Sequence, residues 1–83
     1  MLKLYVGNLP YSTNDDSLRT HFSSAGTVAS ATVVTDRETG RSRGFGFVEF
    51  ENDAEGRAAI EQLDRKELDG RALKVNEARS REM

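Results

Sequence analysis

Apolar and polar residues alternate in short stretches along this chain, and two longer stretches between them repeat every three to four residues. Leu2-Lys3-Leu4-Tyr5-Val6 predicts a strand, with Leu2, Leu4 and Val6 inward and Lys3 and Tyr5 outward. Gly7-Asn8-Leu9-Pro10 ends it, because proline has no N–H to continue a ladder. Thr13 predicts a helix N-cap. Asp16 stands three residues on, in the place of the usual glutamate of a capping box, and both Asp15 and Asp16 suit the positive end of the helix dipole. Leu18 and Phe22 share a face that Ala25 extends, and Gly26 predicts the stop, giving a helix over 14–25.

Val28 to Thr35 is rich in β-branched residues and predicts a second strand. Its inward residues are Val28, Ala31 and Val33, a spacing that requires an irregularity between the first two. Thr32 and Val34 then point to the other side. Residues 36–42 predict a long, mobile hairpin loop. In Arg43-Gly44-Phe45-Gly46-Phe47-Val48-Glu49-Phe50, period two sends Phe45, Phe47 and Glu49 one way and Gly46, Val48 and Phe50 the other. Asn52 predicts a cap and Glu55 a box-like partner for a second helix with the inner stripe Gly56, Ala59, Ile60 and Leu63. Glycine inside a helix costs roughly 1 kcal/mol relative to alanine, so Gly56 implies a close approach of backbone to sheet. A connection over 64–70 is anchored by Leu68. Leu73 and Val75 then point inward and Lys74 and Asn76 outward on a last strand.

The order is β-α-β-β-α-β. Right-handed crossovers place both helices on one side of an antiparallel sheet, so the expected fold is α+β, a ferredoxin-like sandwich of four strands and two helices. The first and third strands are central neighbours in that topology, which brings Tyr5 beside Phe45 and Phe47. The expected domain is 1–78. Residues 79–83 follow with no apolar period and are expected to fray.

Composition narrows the function. Eighty-three residues make one small domain, and the absence of cysteine excludes disulfides and thiolate metal sites. No apolar run approaches a membrane span and no signal-peptide stretch opens the chain, so a soluble, cytoplasmic protein without membrane contact is expected. The net charge of −2 weighs mildly against a polyanionic partner. Its distribution softens that objection. Residues 1–48 carry five basic and four acidic side chains, residues 49–69 three and eight, and residues 70–83 four and two, so the acid lies mainly in the second helix and its connections.

Residues 43–50 fit the eight-residue signature of the RNA-recognition motif at every position. Leu4-Tyr5-Val6-Gly7-Asn8-Leu9 resembles that family's second signature and stands on the expected strand at the expected distance. The chain resembles the family over nearly its full length, and within it the single-motif proteins of bacteria and the glycine-rich RNA-binding proteins of plants. The resemblance implies that Tyr5 and Phe47 stack on successive bases, that Phe45 packs against the sugars, and that Arg43 pairs with a phosphate. Lys3 and Lys74 add charge to the same face, Arg41 lies on the adjoining loop, and Asn8, Thr32 and Val34 flank the rings. Asn76, Ala78 and Arg79 follow the last strand, where the family often reads bases. Glu49 departs from a basic surface: its carboxylate accepts a base amino group or simply weakens binding. The expected partner is single-stranded RNA, with single-stranded DNA as a second ligand because stacking does not distinguish the sugars. A monomer without cofactor or metal is expected.

Blander readings compete. The rings would be core if the sheet were covered on both faces, but only two helical patterns exist to cover it. They would mark a protein-binding face in an interaction module, the alternative function, which would use this same sheet face or the acidic helical face, since aromatic patches also mark protein interfaces. His21 stands alone, with no other histidine and no cysteine to join it on a metal, and reads as structural. No nucleophile-elbow spacing accompanies the serines, and Gly44 and Gly46 lie within a strand and not at a strand-to-helix turn, so neither catalysis nor a phosphate loop is expected.

Overall fold

The computed structural model describes residues 2–68 and 70–78; the expected fraying of 79–83 lies outside the described residues. Eight elements follow in order: β1 (Leu2–Gly7), α1 (Asp15–Ser23), β2 (Val28–Thr35), β3 (Ser42–Phe50), α2 (Asp53–Leu63), β4 (Glu67–Leu68), β5 (Arg71–Ala72) and β6 (Lys74–Glu77). Strands β2-β3-β1-β6 form one antiparallel sheet in that spatial order, so β1 and β3 are central as expected. The pairing of β2 with β3 shifts register between Val28 and Ser30, which is the irregularity that the inward spacing of Val28 and Ala31 demands.

Both helices pack on one face of this sheet, α1 chiefly against β2 and α2 across β1, β6 and β3. Between sheet and helices lies a single core. Leu2, Leu4 and Val6 from β1 meet Val48 and Phe50 from β3, Val33 from β2, Val75 from β6, Leu18 and Phe22 from α1, and Ala59 and Leu63 from α2. Phe22 and Phe50 are fully buried, their ring centroids 6.5 Å apart. Gly56 does what its cost implies: a Cβ there would lie 2.7 Å from Leu2 Cδ2, so glycine is what lets α2 settle onto β1.

Two helix boundaries differ from the sequence expectation. The cap of α1 is Asn14, not Thr13. The Asn14 side chain accepts from the Ser17 N–H at 2.9 Å, and Ser17 Oγ accepts from the Asn14 N–H at 3.0 Å, a complete box one residue later than expected. Thr13 is instead buried, its N–H donating to the Pro10 carbonyl. Asp15 is drawn away from the cap by tertiary structure: its carboxylate accepts from the Val33 N–H on edge strand β2 at 2.7 Å. Asp64, just past α2, does the same for Val75 on the opposite edge strand at 3.0 Å. Each helix thereby satisfies a backbone donor that an edge strand would otherwise leave unpaired.

The other difference concerns Gly26 and Glu55. Helix α1 ends at Ser23 with Ser24 as cap, so Gly26 is not its stop. A Cβ on Gly26 would lie 2.7 Å from Glu55 Cβ, and the Glu55 carboxylate accepts from the Thr27 N–H at 2.8 Å. Glu55 therefore reaches across to the start of β2, and Asn52 caps α2 by accepting from the Ala54 and Glu55 N–H groups. The expected connection over 64–70 also contains an extra element. Strands β4 and β5 form a small separate hairpin, with Glu67 opposite Ala72 and Leu68 opposite Arg71, and Leu68 packs against the core as anticipated.

Candidate nucleic-acid interface

Alternation along β1 and β3 sends every second side chain away from the core, and register decides which of them meet. Tyr5 pairs with Phe47 on one side and Asn76 on the other, while Phe47 also pairs with Thr32. One row, Thr32-Phe47-Tyr5-Asn76, therefore crosses all four strands on the open face. A neighbouring row runs from Ser30 through Glu49 to Lys3, and the Ala78 N–H continues it by donating to the Lys3 carbonyl at 2.8 Å. On the other flank Gly7 stands between Phe45 and Lys74.

The three rings form one cluster. Tyr5 lies 5.8 Å from Phe45 and 6.1 Å from Phe47, and Phe45 lies 6.1 Å from Phe47, edge to face at 90°. Each is half-buried. These ring contacts, two of them edge to face and the Tyr5–Phe45 pair tilted at 34°, hold the rings together while each keeps surface in solvent, which is the arrangement a stacking platform requires. The Lys3 ammonium sits 4.5 Å from the centre of the Phe47 ring. That cation–π contact sets a positive charge against the face of the ring.

The polar residues around the rings divide into engaged and available groups. Glu49 accepts from Ser30 Oγ at 2.8 Å, which uses one carboxylate oxygen within the face. Asn8 has a left-handed backbone with φ 61°. Its amide donates to the Ala72 carbonyl at 2.7 Å and accepts from Arg71 Nη2 at 3.1 Å, so both ends of that side chain tie the β1 exit to β5. Arg41, Arg43, Lys74 and Asn76 are exposed. Val34 is half-buried in a cleft that also takes in Arg43, Phe45 and Arg37. The loop after β2 is closed by its own bonds: Asp36 N–H to the Arg41 carbonyl at 2.8 Å, Gly40 N–H to the Asp36 carbonyl at 2.8 Å, and the Asp36 carboxylate accepting from Glu38 N–H. Arg79 lies outside the described residues. No cluster of three or more histidine, cysteine, aspartate or glutamate side chains that could hold a metal occurs among the described residues.

One aromatic residue escaped the sequence reading. Tyr11, in the loop between β1 and α1, is 70% exposed, and the Arg71 guanidinium lies 5.9 Å from its ring centre. Its only sequence signal is a ring that no apolar period requires, next to Pro10.

An open antiparallel sheet with a ring cluster on two central strands and two helices behind it defines a class of single-strand-binding platform. The family model for the RNA recognition motif matches residues 4–74, and the chain belongs to that family. It is 57% identical over 79 residues to glycine-rich RNA-binding protein 1 of Mycosarcoma maydis, covering 95% of this chain and 45% of that protein. It is 56% identical over 81 residues to RbpE of Nostoc sp., named as an RNA-binding protein, covering 98% and 82%. The chain spans about half the length of the glycine-rich relatives it matches. Among solved structures, RNA binding protein PG1 superposes with TM-score 0.93 at 49% identity over the whole of both chains. The Rna15 domain solved with bound RNA (GU) superposes with TM-score 0.85 at 27% identity, covering 98% of this chain and 86% of that one.

Proposed function

We propose that this domain captures a few nucleotides of single-stranded RNA on its open sheet, without catalysis and without a cofactor. The observation that carries the proposal is the cluster of Tyr5, Phe45 and Phe47, held within 5.8–6.1 Å of one another on the face away from both helices. Tyr5 and Phe47 take successive bases, Phe45 takes the sugar between them, and each stacked base contributes roughly 1–3 kcal/mol. Arg43, Lys3, Lys74 and Arg41 answer the phosphates. Asn76 and Thr32, at the two ends of the row through the rings, and the carbonyl of Ala78, whose N–H is taken by Lys3, offer the hydrogen bonds that set base preference. Membership of the family and similarity to proteins named for RNA binding support the same reading.

Single-stranded DNA binds the same rings in this account, and affinity for RNA exceeds it only where a 2′-hydroxyl is contacted. All three rings come from one chain, so a monomer suffices. The test is titration of isotope-labelled protein with short single-stranded RNA of mixed sequence while backbone amide shifts are followed. Shifts concentrated at Tyr5, Phe45, Phe47 and Asn76 are expected. Shifts confined to α1 and α2, or none at low salt and high RNA concentration, would overturn the proposal.

A further inference from the structure

Tyr11 is the one large apolar side chain exposed among the described residues, and its place is not arbitrary. Its ring stands beside Gly44, with Cε1 3.6 Å from where a Cβ on that glycine would lie, and Gly44 separates Arg43 from Phe45. The backbone there is fixed, because the Leu9 N–H donates to the Gly44 carbonyl at 2.8 Å. Arg71 lies over the ring while its Nη2 donates to Asn8 Oδ1, so the guanidinium is tied down at the end of β1. A ring that packing does not need is thus positioned at the edge of the sheet, next to a cation.

Two clefts flank Tyr11, and they differ in charge. One is lined by Tyr11, Gly40, Arg41, Ser42 and Arg43. The other runs toward the start of α1 and carries Asp15 and Asp16. A phosphodiester is drawn to the first and repelled by the second. Arg43 also lines the cleft that holds Phe45 and Val34, where Arg37 and Arg43 stand beside Asp36 and Glu38, so the arginine-lined side of Tyr11 joins the aromatic platform through the Arg43 side chain.

From this continuity we propose that Tyr11 is a further stacking station, which takes a nucleotide of the same strand after it leaves the sheet past Phe45 and Arg43. The proposal rests on the RNA-binding reading of the sheet and extends it. The extended site holds a longer stretch of single strand than the platform alone. Its ligand is a base of any kind, because stacking on an exposed ring is tolerant of sequence. The tyrosine hydroxyl is not needed.

The test compares the parent domain with Tyr11→Ala and Tyr11→Phe against mixed-sequence single-stranded RNA of four and of eight nucleotides, with Phe47→Ala as a reference. Tyr11 contributes nothing to the core, so both variants fold, which circular dichroism checks. Tyr11→Ala is expected to weaken octamer binding about fivefold or more, to leave tetramer binding unchanged, and to be rescued by phenylalanine. Unchanged octamer affinity in Tyr11→Ala, while Phe47→Ala still loses affinity, overturns the extended site and leaves the platform intact. Equal losses for tetramer and octamer also overturn it. If the parent binds neither length, the platform reading fails first and this one with it.

Discussion

The two faces of the sheet are written in the same strands with alternate residues, yet they differ in what surrounds each ring. Phe50 and Phe47 lie three residues apart on β3. Phe50 points into the core, is fully buried, and meets Phe22 and the aliphatic side chains of β1 and the helices. Phe47 points outward, meets Tyr5, Phe45 and the Lys3 ammonium, and remains half in water. On the inner face shape complementarity is satisfied within the chain. On the outer face the apolar surface is assembled but left incomplete, and the groups around it are mostly basic or polar. A sheet needs only one covered face to fold, so the second is free to be shaped by a ligand.

That contrast predicts where substitutions act. Phe50→Ala leaves a cavity among fully buried neighbours and is expected to cost about 3–5 kcal/mol of stability, enough to unfold much of a small domain; denaturant unfolding reads this directly. Phe47→Ala is expected to change stability by no more than about 1 kcal/mol while weakening single-stranded RNA binding more than tenfold, read by fluorescence anisotropy. A large stability loss in Phe47→Ala would erase the distinction between the faces. Salt probes the charged surround: phosphate contacts from Arg43, Lys3, Lys74 and Arg41 predict a slope of about −2.8 in log affinity against log salt, at about −0.7 per contact. A much steeper slope would move the weight of binding from the rings to the loops. The smallest effect is expected at Glu49. Its carboxylate already accepts from Ser30, so Glu49→Gln should raise affinity for oligouridine only about twofold by removing a like charge from the path of the phosphates.

The two faces were also unequally legible in the sequence. Alternation assigned Leu2 to Val6 of β1 and Phe45 to Phe50 of β3 to their faces, and one of the two slips in β2 could be placed, because Val28 and Ala31 cannot both face inward without it; the slip between Val33 and Thr35 could not. The convergence of Tyr5 with Phe45 and Phe47 followed from topology. What escaped was decided by partners remote in the chain. Thr13 and Asn14 are both competent caps, and the choice fell to Asn14 because Thr13 is buried and Asp15 is engaged with Val33. Glu55 has box spacing but bonds Thr27, twenty-eight residues away. The hairpin of β4 and β5 has two residues per strand, too few for any period to register. Tyr11 gave no periodic signal at all, since its position is defined by Gly44 and Arg71.

The central claim is that bases stack on rings that face solvent and on none of those in the core. Protein labelled selectively in the rings of phenylalanine and tyrosine, mixed with a short single-stranded RNA, reports this through magnetisation transfer between ring and base protons. The account predicts transfer from Tyr5 and Phe47 to base protons, from Phe45 to ribose protons, and none from Phe22 or Phe50. Binding without transfer from Tyr5 or Phe47 would contradict it.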